Sequence, residues 1–204
     1  LKIPVEWNFI KKVVGNASKI GMVDYESLNK KTTLKSIFGK NDCVAILFHI
    51  VHDGVVTPIG HWCLLVKATG PHPIQFFDSL GLGLKKILHK TKEAPWLWKL
   101  LKKVKYEDSS VGLQTQGRDF KECGCFVATR ARFYGLTNPE FVVFLRGGLG
   151  SDKNVVMLNL FAYIDYYHID KGKNDSLMKK DIEKIGYASG TCLFTSREVF
   201  DKIG

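Results

Sequence analysis

The sequence has no long apolar run, no linker-like tract and no internal repeat. No stretch approaches the roughly 18 uninterrupted apolar residues that a membrane-spanning helix needs. The 6 prolines among 204 residues are scattered, and no Pro-, Gly- or Ser-rich segment divides the chain. These absences argue against a membrane protein and a disordered tail. We expect a single domain over residues 1–204 that contacts no membrane.

Cysteine is scarce and odd in number, which argues against a disulfide framework. The first residues do not resemble a secretory signal. We therefore expect an intracellular protein with reduced thiols, at least one of which is free to react. The five cysteines are unevenly spaced, at Cys43, Cys63, Cys123, Cys125 and Cys192.

Acidic residues are too few to balance the basic ones. The chain has 20 Asp and Glu against 30 Lys and Arg, which gives a net charge of +10 and a pI of about 9.3. Such an excess favours contact with polyanions such as nucleic acids. The alternative is a solvated lysine surface that only keeps the protein soluble.

The pattern of apolar residues predicts an α+β fold. Residues 43–51 form an apolar run suited to a buried strand, and 61–68 and 74–78 predict an antiparallel hairpin. A polar loop is predicted at 107–112. Helical spacing predicts helices over 81–91, 96–104, 123–134, 139–145 and 151–167.

Four residue types of a thiol hydrolase occur in four separate segments. A thiol is a useful nucleophile at neutral pH only as the thiolate, so it needs an imidazole, a carboxylate to orient the imidazole, and oxyanion donors. His61 starts one strand of the predicted hairpin and Asp78 ends the next, so their side chains should be neighbours. Cys123 should begin a helix, where the helix dipole stabilises a thiolate. Gln116 offers the amide donor.

The order and spacing of these residues resemble the adenovirus endopeptidase family. Its relatives include maturation proteases of other large DNA viruses and virophages, and proteases that process ubiquitin-like proteins. The shared pattern covers roughly residues 60–135. The resemblance implies a papain-like core in permuted order, with a mixed central sheet flanked by helices and the nucleophile at a helix N-terminus. The pattern is His-Trp at 61–62, an acidic residue at 78, Gln-Gly at 116–117 and Cys-Gly at 123–124.

The resemblance also assigns roles to single residues. Trp62 would flank the imidazole and narrow the substrate channel. Gln114 is the alternative to Gln116 as oxyanion donor, because relatives vary in this spacing. The chemistry would need no metal or other cofactor. The implied catalytic set is His61 as general base, Asp78 as orienting carboxylate, Gln116 as oxyanion donor and Cys123 as nucleophile.

A viral maturation protease is the function that the resemblance implies. It would cleave capsid or core precursors after small residues such as Gly-Gly, as a monomer, in the virion and in the cytoplasm or nucleus of the host cell. DNA is implied as an activator that binds the basic surface. The adenovirus enzyme also uses a capsid-derived peptide joined through a disulfide, but residues 103–106, in the equivalent stretch, include no cysteine.

Three alternatives stay open at this stage. The same chemistry would serve to remove a ubiquitin-like modifier. A non-catalytic basic core protein that packages nucleic acid would explain the charge without using Cys123. Zinc is the third alternative, although structural zinc sites more often have two or more residues between paired ligands. Its ligands would be His61, Cys63, Cys123 and Cys125.

Overall fold

A computed structural model describes residues 6–52, 55–68, 71–114 and 122–147. The chain divides into two compact units, residues 1–142 and 143–204, and the fold below is that of the first. Gln116 and the helix predicted over 151–167 lie outside the described residues. The expectation of a single domain over 1–204 stays a prediction.

Five strands form one mixed sheet in the order of the chain. The outer pairs, β1 with β2 and β4 with β5, are parallel, and the two inner pairs are antiparallel. The strands are β1 (Ile20–Asp24), β2 (Cys43–His52), β3 (Val55–Lys67), β4 (Ile74–Phe77) and β5 (Tyr106–Asp108).

The predicted strands at 43–51, 61–68 and 74–78 are confirmed, with one change that concerns the site. His61 does not start its strand, because β3 begins at Val55. The ladder between β2 and β3 shifts register between His49 and Val51, and Pro58 lies opposite this irregularity, where a missing N–H costs no ladder bond. The predicted loop at 107–112 is wrong in part, because its first residues belong to β5.

Six α-helices and one 3₁₀ turn accompany the sheet in the described ranges. Helix α2 begins with a capping box between Thr33 and Ser36 and ends at Gly39, whose φ is 52°. None of the described helices is long and apolar enough to cross a membrane. The helices are α1 (Trp7–Val14), α2 (Leu34–Phe38), α3 (Leu84–Thr91), α4 (Trp96–Leu101), α5 (Cys123–Arg132) and α6 (Asn138–Gly147), with the 3₁₀ turn at Tyr25–Ser27.

Both faces of the sheet are covered, because successive strand residues, whose side chains point to opposite faces, are buried alike. Helices α2, α3 and α4 pack on one face, where Tyr25 stacks on Phe48 with ring centroids 4.5 Å apart. Helix α5 packs against β3 and α1 packs against α5. On that second face Phe141 contacts Phe77 edge-on at 5.4 Å. The predicted α+β class, with a mixed sheet between helices, is confirmed.

Candidate active site

The candidate site lies where β4 stops and β3 continues. The ladder between them ends with the pair Leu64 and Phe77, so β3 extends beyond its neighbour. Asp78 follows β4 directly, and His61 lies on the stretch of β3 that pairs with β2 but extends beyond β4. Nε2 of His61 is 2.7 Å from Oδ1 of Asp78. The structure therefore brings together the imidazole and the carboxylate that the sequence predicted as neighbours.

The turn after β4 holds the Asp78 carboxylate in place. Asp78 is fully buried, and its oxygens also accept the N–H groups of Leu80 at 3.0 Å and Leu82 at 2.7 Å. Burial alone would raise the pKa of Asp78, but the hydrogen bond and charge of His61, together with these two amides, lower it. The carboxylate is therefore ionised at neutral pH and free to orient the imidazole.

Ser109 and Gly81 fix the backbone of this turn. The Asp78 N–H donates to Ser109 Oγ at 2.9 Å, and the Ser109 hydroxyl donates back to the Asp78 carbonyl at 3.0 Å. Gly81 has a φ of 65°, and a Cβ at this position would lie 2.3 Å from the backbone nitrogen of Gly112. Only glycine allows both this conformation and this close approach.

The segment that leads to the predicted oxyanion donor is tied to the same turn. The N–H groups of Leu113 and Gln114 both donate to the Ser79 carbonyl. The Ser79 hydroxyl donates to Gln114 Oε1 at 2.8 Å, which leaves the amide N–H₂ of Gln114 as its donor end. Since Gln116 lies outside the described residues, both glutamines remain candidates.

Cys123 is the first residue of α5, as the sequence predicted. Its thiol lies close enough to His61 for each side chain to shift the pKa of the other, and the backbone N–H of Trp62 donates to its Sγ at 3.5 Å. Because Nε2 of His61 binds Asp78, Nδ1 is the ring nitrogen left for the thiols of Cys123 and Cys63, both of which interact with His61. Trp62 is only 6% exposed, and its backbone borders the site through the N–H contact to Cys123; the role of its side chain in substrate binding stays a prediction.

The charge state of this group follows from its contacts. Burial opposes a charge on His61, but Cys63, Asp78 and Cys123 favour it, so the pKa of His61 lies well above 6.5. The Cys63 thiol has a pKa of about 12 and is neutral at pH 7, so Asp78 supplies the opposite charge. Burial would raise the pKa of Cys123, but the hydrogen bond and charge of His61 and the Trp62 and Gly124 amides lower it.

The other described cysteines have the opposite character. Burial raises the pKa of Cys43 and of Cys63 to about 12. Burial, and then the charge of Glu122, also raise the pKa of Cys125, two residues after Cys123 in the same helix, to about 12. Among the four cysteines that the structure describes, only Cys123 has a lowered pKa, which is the condition for an activated thiol.

The possible zinc ligands that the structure brings together differ from those that the sequence predicted. Within the described ranges, the donor atoms of His61, Cys63 and Asp78 lie within 4.8 Å of one another. Neither Cys123 nor Cys125 belongs to this group, whereas Asp78 does. One imidazole nitrogen, one thiol and one carboxylate are ligands that zinc accepts.

Several residues of the site were not predicted from the sequence. Ser109 and Ser79 hold the turn around Asp78, and Glu122, which is 1% exposed, precedes the nucleophile. The only available signal for Ser109 was a serine directly after an acidic residue in a supposed loop. Nothing in the local sequence marked the other two.

Compared with known protein families and with curated proteins, the chain matches none. The resemblance to the adenovirus endopeptidase family therefore depends on the motifs around His61, Asp78 and Cys123.

Proposed function

We propose that this chain is a cysteine endopeptidase with a papain-like site in permuted order. The observation that carries the proposal is the contact of one imidazole with two partners: Asp78 at 2.7 Å through Nε2 and the thiol of Cys123. Carboxylate, base and nucleophile thus lie next to one another in the order that nucleophilic catalysis by a thiol requires.

In this proposal His61 takes the proton of Cys123 and the thiolate attacks the scissile carbonyl carbon. Asp78 stays ionised, holds the imidazole through Nε2 and stabilises the imidazolium. The imidazolium then gives its proton to the leaving amine, which departs as the carbonyl re-forms in a thioester. Water, deprotonated by His61, hydrolyses the thioester and regenerates the thiol.

The oxyanion would be bound at the start of α5. The first N–H groups of a helix have no partner within the helix, and the backbone N–H of Cys123 belongs to the same residue as the attacking sulfur. An amide side chain from Gln116, or from Gln114, would be the second donor. Removal of one oxyanion donor typically costs about 10²- to 10³-fold in kcat.

The substrates follow from the resemblance. The proposed reaction is cleavage of viral capsid or core precursors after small residues such as Gly-Gly during virion maturation, in the virion or the infected cell. The alternative within the same chemistry is release of a ubiquitin-like modifier. A panel of Gly-Gly peptides and folded modifiers ending in Gly-Gly separates the two, because a deconjugating protease gains affinity from the folded partner.

Turnover of these substrates tests the proposal with a matched pair of variants. Cys123→Ala should abolish cleavage, and Cys125→Ala, two residues along the same helix, should retain it, because its thiol stays protonated up to about pH 12. Equal activity of both variants would contradict the proposal. A basic core protein without catalysis would show no turnover and no difference between them.

Binding of nucleic acid is a second proposal, supported by the surface of α3 and α4. Lys85 and Lys102 lie over the ring of Trp98 at 5.0 and 4.9 Å, and Lys99 lies over Trp96 at 4.7 Å. These lysines form a positive surface on which a polyanion could dock. Because the aromatic rings already hold the lysine side chains in place, binding would cost little additional side-chain entropy. DNA would act there as an activator.

A further inference from the structure

A buried guanidinium lies at the far end of the helix that begins with Cys123. Arg130 belongs to the last turn of α5 and has no exposed surface. The acceptors of its hydrogen bonds are all neutral oxygens. They are Asn138 Oδ1 for Nε (3.3 Å), the Phe133 carbonyl for Nη1 (2.9 Å), and Gln75 Oε1 (2.8 Å) and the Leu136 carbonyl (2.6 Å) for Nη2.

Burial of this charge is costly, so its contacts need a reason. Taking an ion out of water costs several kcal/mol even after partial compensation, and burial lowers the pKa of Arg130 to about 10, which still leaves it charged at neutral pH. Two of its acceptors belong to the turn after α5, where a cation is favoured by the helix dipole. Capping of that turn explains these two bonds but not the bond to Gln75, which lies in the sheet.

Gln75 and Asn138 extend the contact into a network. Gln75 Oε1 also accepts the N–H of Asn138 at 3.0 Å, and Asn138 Nδ2 donates to the Phe76 carbonyl at 3.0 Å. The network therefore joins the end of α5, the start of α6 and strand β4. Its two residues in β4 lie two and three positions before Asp78.

These are the segments that hold the reacting groups. Cys123 is about 10 Å from Arg130 along the axis of α5, at about 1.5 Å per residue, and a helix is stiff over two turns. A shift of this helix relative to β4 would therefore move the thiol relative to the imidazole that Asp78 orients. Misplacement by about 1 Å can cost on the order of 100-fold in rate.

We infer that Arg130 is a positioning residue, which holds α5 against β4 through Gln75 so that the Cys123 thiol meets His61. This inference rests on the proposed function. Arg130 touches no reacting atom, and its effect reaches the chemistry only through the placement of Cys123.

The test compares Arg130→Met and Gln75→Met with the control Arg132→Met. Arg132 is on the same helix, but its Nη1 donates to the Val13 carbonyl of α1, at 3.0 Å. Each protein is assayed for its Tm and for alkylation of Cys123 by iodoacetamide between about pH 5 and 9.5. The measured quantity is the ratio of the alkylation rate at about pH 6 to the rate at about pH 9.5. For Arg130→Met and Gln75→Met we expect this ratio to be about tenfold lower than in the wild type, and for Arg132→Met we expect it to be unchanged.

The outcomes separate a positioning role from a structural one. A lower Tm with unchanged pH profiles would make the network merely structural and overturn the inference. If Arg130→Met does not fold, Gln75→Met decides, because it removes a neutral amide and no charge. A wild-type Cys123 that titrates as an ordinary thiol would overturn the inference and the proposed function together. An activated wild type with unchanged variants would overturn this inference alone.

Other groups around the thiol are the same in all these proteins, so a change in the profile reports on position. The titratable groups near Cys123 are His61 and Cys63 on β3, Asp78 after β4, and Glu122 and Cys125 at the start of α5.

Discussion

Replacement of His61 by glutamine tests the step on which the proposed chemistry depends. The glutamine Nε2 can still donate to Asp78 Oδ1, so the buried carboxylate keeps a partner, but an amide has no basic nitrogen for the Cys123 thiol. Burial would continue to raise the pKa of Cys123, while the hydrogen bond and the charge of His61, which lower it in the wild type, would be gone. We therefore expect Cys123 to be a neutral thiol at pH 7 in this variant.

The size of the effect follows from the charge that is removed. Two unit charges about 4 Å apart attract by about 4 kcal/mol at an effective dielectric constant of about 20, which is worth roughly 10³-fold in the thiolate population. The remaining thiolate is more basic and therefore intrinsically more nucleophilic, with a Brønsted coefficient of about 0.4–0.5. Its rate constant for alkylation should therefore rise on the order of 30-fold, which offsets part of the loss. Alkylation at about pH 6 should therefore slow on the order of 30-fold.

Mass spectrometry of iodoacetamide adducts gives the rate at each cysteine from about pH 5 to 9.5. His49→Gln is the matched control, because His49 Nε2 also lies 2.7 Å from an aspartate, Asp24, away from the thiol. Cys125 is the internal standard within each sample. A His61→Gln profile at Cys123 that superimposes on the wild type would refute the reasoning, since the imidazole would then not be the source of activation.

Three further predictions concern the turn after β4 and the metal alternative. Asp78→Asn should lower the free energy of unfolding by about 3 kcal/mol at pH 7. Both carboxylate oxygens accept hydrogen bonds, so either orientation of the asparagine amide places its N–H₂ against an N–H donor. Because the folded-state pKa of Asp78 lies below 3.8, its stabilising effect is present above that value and lost as the pH falls through the folded pKa. Urea unfolding should thus show a larger loss in the wild type than in Asp78→Asn between about pH 5 and 2; parallel curves would contradict this. Gly81→Ala should destabilise by about 2 kcal/mol or more through its φ of 65° and the clash at Gly112, whereas Gly135→Ala, with open space around its Cβ, should change Tm little. Elemental analysis of the purified protein should find no stoichiometric zinc, and one zinc per chain would overturn the thiolate assignment.

The sequence predicted those parts of the site that depend on local pattern. Short apolar runs at 61–68 and 74–78, separated by a Thr-Gly-Pro turn, predict a hairpin, and a hairpin places His61 near Asp78 whichever residue starts the strand. The helix at Cys123 follows from apolar spacing that begins there. The fold class could also be predicted, because the sequence contains the patterns of both a β-hairpin and several amphipathic helices, and this combination indicates an α+β fold.

Contacts between distant segments could not be predicted in the same way. Ser109 is 31 residues from Asp78, and Gln75 is 55 residues from Arg130, so neither pair leaves a periodic signal. The short strands β1 and β5 were missed because they are parallel edge partners, whose pairing is decided by the rest of the sheet. The prediction that His61 starts its strand was wrong because β3 begins at Val55, six residues before it.

The contrast between Cys123 and Cys125 shows which part of the site activates the thiol. Both residues lie in the first turn of α5, and both are buried, so the helix dipole favours a thiolate at either position. Yet Cys125 has a pKa raised to about 12, and Cys123 a lowered one. The imidazole of His61 lowers the pKa of Cys123 but does not act on Cys125, whose pKa the charge of Glu122 raises further. Activation therefore depends on the position of α5 against β3 and β4, which is why residues far from the sulfur, such as Arg130 and Ser109, matter to it.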